Sequence, residues 1–502
     1  MLLKKQFKTE DHILLSMNKI IPVLLSVFLV LTAFIQLPDL MQYDSKRVMQ
    51  IVILFVIGLL VLVSIIKSYL NKDVKSFTTC SHVSKSPVAA TAILFLTGLM
   101  SVFLSTNIQF ALLEFTFLFL LLSLAVLIAP RRRKTHHFSG RLILGTTLIY
   151  SLIYIIIFFG NYISSFYEPM ITLWPNKYDF SLLINGIEFH GKEVLYFDHK
   201  RFFNHTQTWT LPLLVGLTAF YKRKEHEKLQ SILLIVLASF WWMLIFASGG
   251  RGSMLSLILS LGILTMIWGK DLIPFLKFGS ISLVLGALNY LIIFRWIPSS
   301  NADLPLLRSS DSGRLDMWQR ALESWLQNPL FGIGPMNYSK LESAPTFAHP
   351  HNFYIQFLTE WGLIAFIALA FLIGFLVKNV IDNYPDKNQK FQSRFLYISV
   401  SWSLSAALIH AFFSGVFHTP LSQIWFVLLI SWLIGFNRKK SSGTQFNTVR
   451  RYASFTYVVL ILIVSSIVYD DVLTIYQGYE EYISNYPESK FYPRFWGQGL
   501  FE

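Results

Sequence analysis

What most constrains this chain is a repeated apolar run of about 17–22 residues, long enough to cross a bilayer as a helix, recurring along its whole length. Lipid offers no water to backbone amides, so each run must close its own hydrogen bonds as a helix. Spans are expected at 20–37, 48–66, 88–105, 108–129, 142–160, 208–221, 229–247, 253–268, 274–294, 353–377, 395–413, 421–436 and 453–468. With 54% hydrophobic and 14% charged residues in 502, an ordinary soluble globular chain is excluded. The expected fold class is all-α, a polytopic transmembrane bundle of about 12–13 spans. A formal charge of +14 would suggest nucleic acid for a soluble protein. Here the cations cluster between apolar runs, so membrane topology accounts for most of them and no nucleic-acid partner is expected. The lone cysteine, Cys80, rules out an internal disulfide and any Cys-based metal or haem site. The first run follows Lys4, Lys5, Lys8 and Lys19 without a small-residue cleavage site, and reads as a retained helix.

With a cytoplasmic N-terminus, alternation puts the basic clusters on one side: Lys67, Lys72, Lys75 and Lys85; Arg131 to Lys134 and Arg141; Lys222 to Lys224 and Lys228; Lys378, Lys387, Lys390 and Arg394; Arg438 to Lys440, Arg450 and Arg451. The opposite side receives loops at 161–207 and 295–352 and an acidic, aromatic tail at 469–502. Residues 1–468 read as one integral domain, without heptads or solenoid repeats.

The longest well-mixed polar segment runs from Ser309 to Gly362. Asp311 and Ser312 are candidate N-caps, and Leu315, Trp318, Leu322 and Trp325 lie at helical spacing, predicting a short amphipathic helix that Pro329 stops. Arg314 falls in its first turn, where the macrodipole disfavours a cation unless an anion bridges arginine and free amides. Arg320 is six residues on, about 600° around the helix, and reads as a surface charge. Ser248-Gly249-Gly250-Arg251-Gly252 sets a second arginine at a span boundary, either snorkelling or functional.

His349 and His351 form a weak metal pattern, and no metal or cofactor is expected; a neutral imidazole there suits a general base, or a cap with Asn352 on the next helix. Arg201 to Gln207, with Asn204 and Gln207, reads as an interfacial polar–aromatic belt or a site. Glu360 lies inside a span about 900° beyond His351, so a direct pair is not expected and a neighbouring helix or substrate is its expected partner. His410 reads as an interhelical hydrogen-bonder or a site residue. Two arginines converging from separate segments make a clamp for phosphate or diphosphate.

Gly313-Arg314-Leu315-Asp316-Met317-Trp318, Asn328-Pro329-Leu330-Phe331-Gly332-Ile333-Gly334-Pro335 and His351-Asn352 followed by Gly362 resemble the O-antigen ligase/polymerase superfamily. Ser248 to Gly252 is similar to its upstream arginine segment, and Ala407 to Pro420 with Ser422-Gln423 to a late-span pattern of some members; the likeness runs over about 202–435. Ala365 stands where the ligase signature often has Gly, Thr or Tyr.

The resemblance implies a metal-independent, inverting membrane glycosyltransferase of the bacterial inner membrane, taking a glycan from undecaprenyl diphosphate at the periplasmic face. Arg251 and Arg314 would hold the diphosphate and His351 would activate or orient the acceptor. His349, Asn352, Asn204, Gln207 and Glu360 are further substrate-binding candidates. The expected acceptor is lipid A–core. A growing glycan (polymerase) or a protein hydroxyl (O-oligosaccharyltransferase) are alternatives within the same chemistry, and a transporter or flippase is the alternative outside it. Membrane lipids are the remaining expected partner.

Overall fold

The computed structural model describes residues 19–32, 35–37, 40, 42–70, 85–130, 133–172, 197, 199–222, 228–293, 313–341, 348–385, 391–437, 443–485 and 494–496. Among these the regular elements are all helical: α1 Lys19–Leu31, α2 Gln42–Leu70, α3 Lys85–Phe103, α4 Ile108–Ile128, α5 Arg133–Thr172, α6 Lys200–Lys222, α7 Lys228–Ala247, α8 Arg251–Trp268, α9 Ile273–Leu291, α10 Arg314–Gln327, α11 Phe353–Asp382, α12 Phe391–His410, α13 Pro420–Asn437 and α14 Gly443–Asn485. Every expected span falls on one of these helices, and α10 is the short amphipathic one. Eight stretches are long and apolar enough to cross a membrane, one of them continuing from α8 through a 3-10 turn into α9. The chain is a polytopic helical membrane protein.

Among the described residues, hydrogen bonds bring the start of α2, the end of α3, the first half of α11 and the turn between α12 and α13 together at one pole of the bundle. There the Tyr43 hydroxyl and Arg47 guanidinium of α2 donate to the His418 carbonyl, Ser101 of α3 donates to the Glu360 carbonyl, and the Phe353 amide donates to Ala411. At the opposite pole Arg394 pairs with Asp271, which also accepts from the Tyr384 hydroxyl, and His136 packs on Trp432 and Phe436.

The pillar is α6, too polar to pass as a membrane span by composition and buried from Phe202 to Ala219. Lipid never meets its polar stretch, because α7, α12 and α13 surround it and satisfy it. Gln207 donates to the Trp241 carbonyl, Thr210 accepts from the Trp241 indole, Thr208 pairs with His410, and the Trp209 indole donates to Ser422. Buried polar groups in a membrane bundle act as interhelical glue of this kind.

Three expectations change. The loop expected at 161–207 is narrower, since α5 continues to Thr172 and α6 already begins at Lys200. The boundary at 468/469 falls inside α14, which continues to Asn485, and Arg494 to Trp496 pack inside the bundle with Arg494 only 1% exposed. On α10 the inward face is Met317, Ala321 and Ser324, while the expected apolar face is split: Leu315 and Leu322 point outward, Leu315 being 65% exposed, and Trp318 and Trp325 are half-buried. A helix beside lipid can turn its leucines away from the protein, so apolar spacing does not identify its buried face. Asp311, Ser312, Cys80 and many loop cations (Lys72, Lys75, Arg131, Arg132, Arg223, Lys224, Lys387, Lys390 and Arg438 to Lys440) lie outside the described residues.

Candidate active site

At the polar pole four segments meet. The first is the α7–α8 turn. Ser248 donates to the Asn204 side-chain oxygen at 2.8 Å, bracing the turn against α6. Gly249 takes a left-handed conformation, and α8 starts directly at Arg251 with no side-chain cap on its amides. The second is the start of α10. Its N-cap is Gly313, left-handed and without a capping side chain, so Arg314 opens a helix whose first-turn amides also favour an anion.

The third segment is Ala348 to Asn352. The Asn352 side chain caps α11, accepting from the amides of Tyr354 at 3.0 Å and Ile355 at 3.1 Å. The Trp318 indole donates to the Pro350 carbonyl at 2.9 Å, joining α10 to this loop. The His349 Nδ1 accepts from the His351 amide at 3.1 Å, and the two rings meet edge to face with centroids 4.4 Å apart. His351 itself has φ +55°, a strained setting for a residue with a side chain. Such strain persists where surroundings over-determine it, and it clusters at functional sites.

The fourth segment is the start of α6, and it supplies Arg201, which the sequence offers only within a stretch that reads as an interfacial belt or a site. The Arg201 guanidinium lies 3.1 Å from the His351 Nε2. Arginine has no acceptor, so Nε2 is the accepting nitrogen and the ring proton sits on Nδ1. Arg314 and Arg251 are both close enough for their charges to oppose that of Arg201. Burial foremost, then His349, Arg201, Arg314 and His199, hold the His351 imidazole well below the usual histidine range. Burial, followed by Arg494 and Arg201, takes His349 down to about 3. The pole therefore presents a neutral imidazole bonded by one guanidinium, Arg201, with two more, Arg314 and Arg251, near enough to act on that guanidinium, a cluster suited to a multiply charged anion.

Of the expected residues, His351 meets Arg201, Arg314 lies near both, and Arg251 lies near Arg201. His349, Asn352 and Asn204 stand beside them as supports: His349 holds the His351 backbone, Asn352 caps α11, and Asn204 braces the arginine turn. Gln207 and Glu360 do not join the cluster. Gln207 is fully buried against α7, and Glu360 is fully buried between the side chains of Arg494 and Gln356 and the Tyr338 amide. His410 bonds Thr208 at 2.9 Å, an interhelical contact. Arg320 pairs with Asp316 along α10. From its capping role, Asn352→Ala is expected to lower stability in thermal unfolding by about 1 kcal/mol, whereas Asn352→Asp, which keeps a capping oxygen, changes it little.

The O-antigen ligase family model matches residues 233–370, a stretch holding Arg251, Arg314, His349, His351, Asn352 and Glu360 but neither Arg201 nor Asn204. A Rickettsia conorii protein named as a candidate polysaccharide ligase is 25% identical over 175 residues, covering 32% of this chain and 40% of the relative. The chain thus spans less than half of that relative's length. On the match and the motifs it contains, residues 233–370 are an O-antigen ligase family domain.

Proposed function

We propose that this protein moves a glycan from undecaprenyl diphosphate to a hydroxyl acceptor at the periplasmic face of the bacterial inner membrane, with lipid A–core as the acceptor. The observation that carries the reading is the Arg201 guanidinium on neutral His351, with Arg314 near enough to act on both and Arg251 near enough to act on Arg201. In the reaction the acceptor oxygen attacks the anomeric carbon from the side opposite the diphosphate and inverts it. The carbon–oxygen bond to phosphate breaks with its electron pair going to the diphosphate, and the acceptor proton passes to the His351 imidazole. Arg251, Arg314 and the first-turn amides of α8 and α10 stabilise the charge that builds on the leaving group. Three guanidinium groups would repel a divalent cation, so the positive charge that the leaving group needs comes from the protein.

A transporter would instead need ionisable groups near mid-membrane in two matched halves. The polar groups along α6 are already consumed by neighbouring helices, which favours the enzyme. The test is transfer of a lipid-linked glycan by membranes containing each variant. His351→Ala is expected to lower the rate by about 10²–10⁴-fold. Arg251→Ala and Arg314→Ala are each expected to lower it by about 10²–10³-fold. Undiminished transfer in all three would overturn the proposal. The acceptor is read from a deletion strain: loss of long-chain lipopolysaccharide with accumulated lipid-linked polymer supports lipid A–core. Core bearing a single repeat would mean a polymerase, and loss confined to glycoproteins an O-oligosaccharyltransferase.

A further inference from the structure

We infer that Arg201 is a positioning residue that covers the reactive lone pair of His351 in the resting protein and gives it up when the donor's diphosphate arrives. The inference rests on the glycosyl-transfer reading and adds an order of events to it. Its geometric basis is the 3.1 Å contact from the Arg201 guanidinium to the His351 Nε2. That nitrogen can only be accepting, because the guanidinium carries donors alone. A lone pair engaged in this way cannot take a proton from an acceptor hydroxyl, so the resting pocket holds a covered base.

Arg201 is also a half-buried cation whose side chain has no carboxylate partner among the described residues, with two further arginines close enough for their charges to oppose its own. A neutral imidazole is a weak partner for such a group. A diphosphate is a strong one, since a charge-assisted and often bidentate guanidinium–phosphate contact is roughly twice as strong as a neutral hydrogen bond. Arrival of the donor therefore draws the guanidinium from imidazole to phosphate, and one movement does two things. It adds a third cation to the leaving group, and it uncovers Nε2 for the acceptor proton. The order is built in: no donor, no free base, and hence no wasted proton transfer in an empty site. After transfer the proton on Nε2 is released to water and Arg201 returns as the diphosphate departs.

The charge of Arg201 also helps hold His351 below the ordinary histidine range, beneath the larger effect of burial and beside His349 and the other facing groups, Arg314 and His199. A base works only when deprotonated, so the acid limb of kcat/KM falls at the base's pKa. In the wild type that limb lies well below the ordinary histidine pKa. Removing the Arg201 charge raises the pKa of His351, and the limb must move to higher pH.

The experiment is the pH profile of kcat/KM for a lipid-diphosphate-linked glycan, using full-length protein in membranes, for wild type, Arg201→Gln and Arg201→Lys. Arg201→Gln is expected to lose at least tenfold in kcat/KM and to carry its acid limb toward the ordinary histidine range. Arg201→Lys keeps the charge, leaves the limb low and recovers part of the rate. A merely structural arginine would lower rate and yield in both variants with the limb unmoved, and that result overturns the inference. If Arg201→Gln cannot be recovered in folded form, the charge-free variant Arg201→Met decides: an acid limb carried to higher pH supports the role, and a limb unmoved from wild type refutes it. Wild-type protein that transfers no glycan would overturn the glycosyl-transfer reading itself, and this inference with it. A wild type that transfers while Arg201→Gln matches it in rate and limb overturns only the role of Arg201.

Discussion

Arg494→Ala is expected to destabilise the protein by about 3–5 kcal/mol, the cost of removing one partner from a buried ion pair. The Arg494 side chain is 1% exposed and its Nη2 lies 2.6 Å from Glu360 and 2.7 Å from Glu114. Glu360 is itself fully buried, and its remaining partners, the Gln356 amide at 3.1 Å and the Tyr338 amide at 3.3 Å, are neutral. Without the guanidinium its carboxylate would be a buried anion with no countercharge from Arg494. The damage would also travel. Gln356, which donates to Glu360, bonds the His418 ring at 3.0 Å, and His418 packs 5.7 Å from His349, the residue that holds the His351 backbone. Thermal unfolding of the purified protein should show a large fall for Arg494→Ala. Adding Glu360→Gln, which removes the stranded charge, should recover part of it. An Arg494→Ala protein as stable as wild type would mean that the ion pair is dispensable and that the tail only rests against the bundle.

This pair also marks where sequence reasoning stops. The spans were legible because lipid-length apolar runs stand out in any window, and α10 was legible from the spacing of its leucines and tryptophans. Arg251, Arg314 and His351 were visible for a related reason: an ionisable group at the edge of an apolar run needs an explanation. Arg201 failed that test because Phe202 and Phe203 follow it, giving the look of an interfacial belt, while its partner His351 is 150 residues away. Glu360 was noticed, but its expected partner was a neighbouring helix or a substrate. Its actual partner, Arg494, comes from the tail 134 residues on. Only folding brings such pairs together, and no local period announces them. Gln207 misled in the opposite sense. A polar residue near a helix start suggests a site, yet in a helix enclosed by other helices it serves a carbonyl of the next one.

Two alanine substitutions in α11 should have opposite effects. Gly362 interrupts the helix with φ 78° and ψ 174°, a region essentially restricted to glycine, where another residue costs about 1–3 kcal/mol from strain alone. Space makes matters worse: a Cβ there would sit 2.2 Å from the Leu330 carbonyl oxygen and 2.5 Å from the Phe331 nitrogen, both backbone atoms that cannot rotate aside. The crowding follows from what the break is for. Interrupting a helix frees carbonyls that lipid cannot satisfy. The chain from Pro329 to Gly334 lies along the gap and satisfies them, with Ile333 donating to Thr359 at 3.0 Å, Gly334 donating to Glu360 at 3.0 Å, and Leu363 donating back to Pro329 at 2.9 Å. The Asn328-to-Pro335 motif and Gly362 are thus two halves of one joint, which ties the end of α10 to α11 beneath the arginine–histidine pocket. Gly362→Ala is expected to abolish most folded protein in size-exclusion chromatography, or to lower its unfolding temperature sharply. Gly374, further along the same helix, has nothing within 4 Å of the place a Cβ would take, and Gly374→Ala should be neutral or stabilise by up to about 1 kcal/mol. Equal behaviour of the two variants would contradict the joint, since both place the same methyl group on the same helix and only the backbone around it differs.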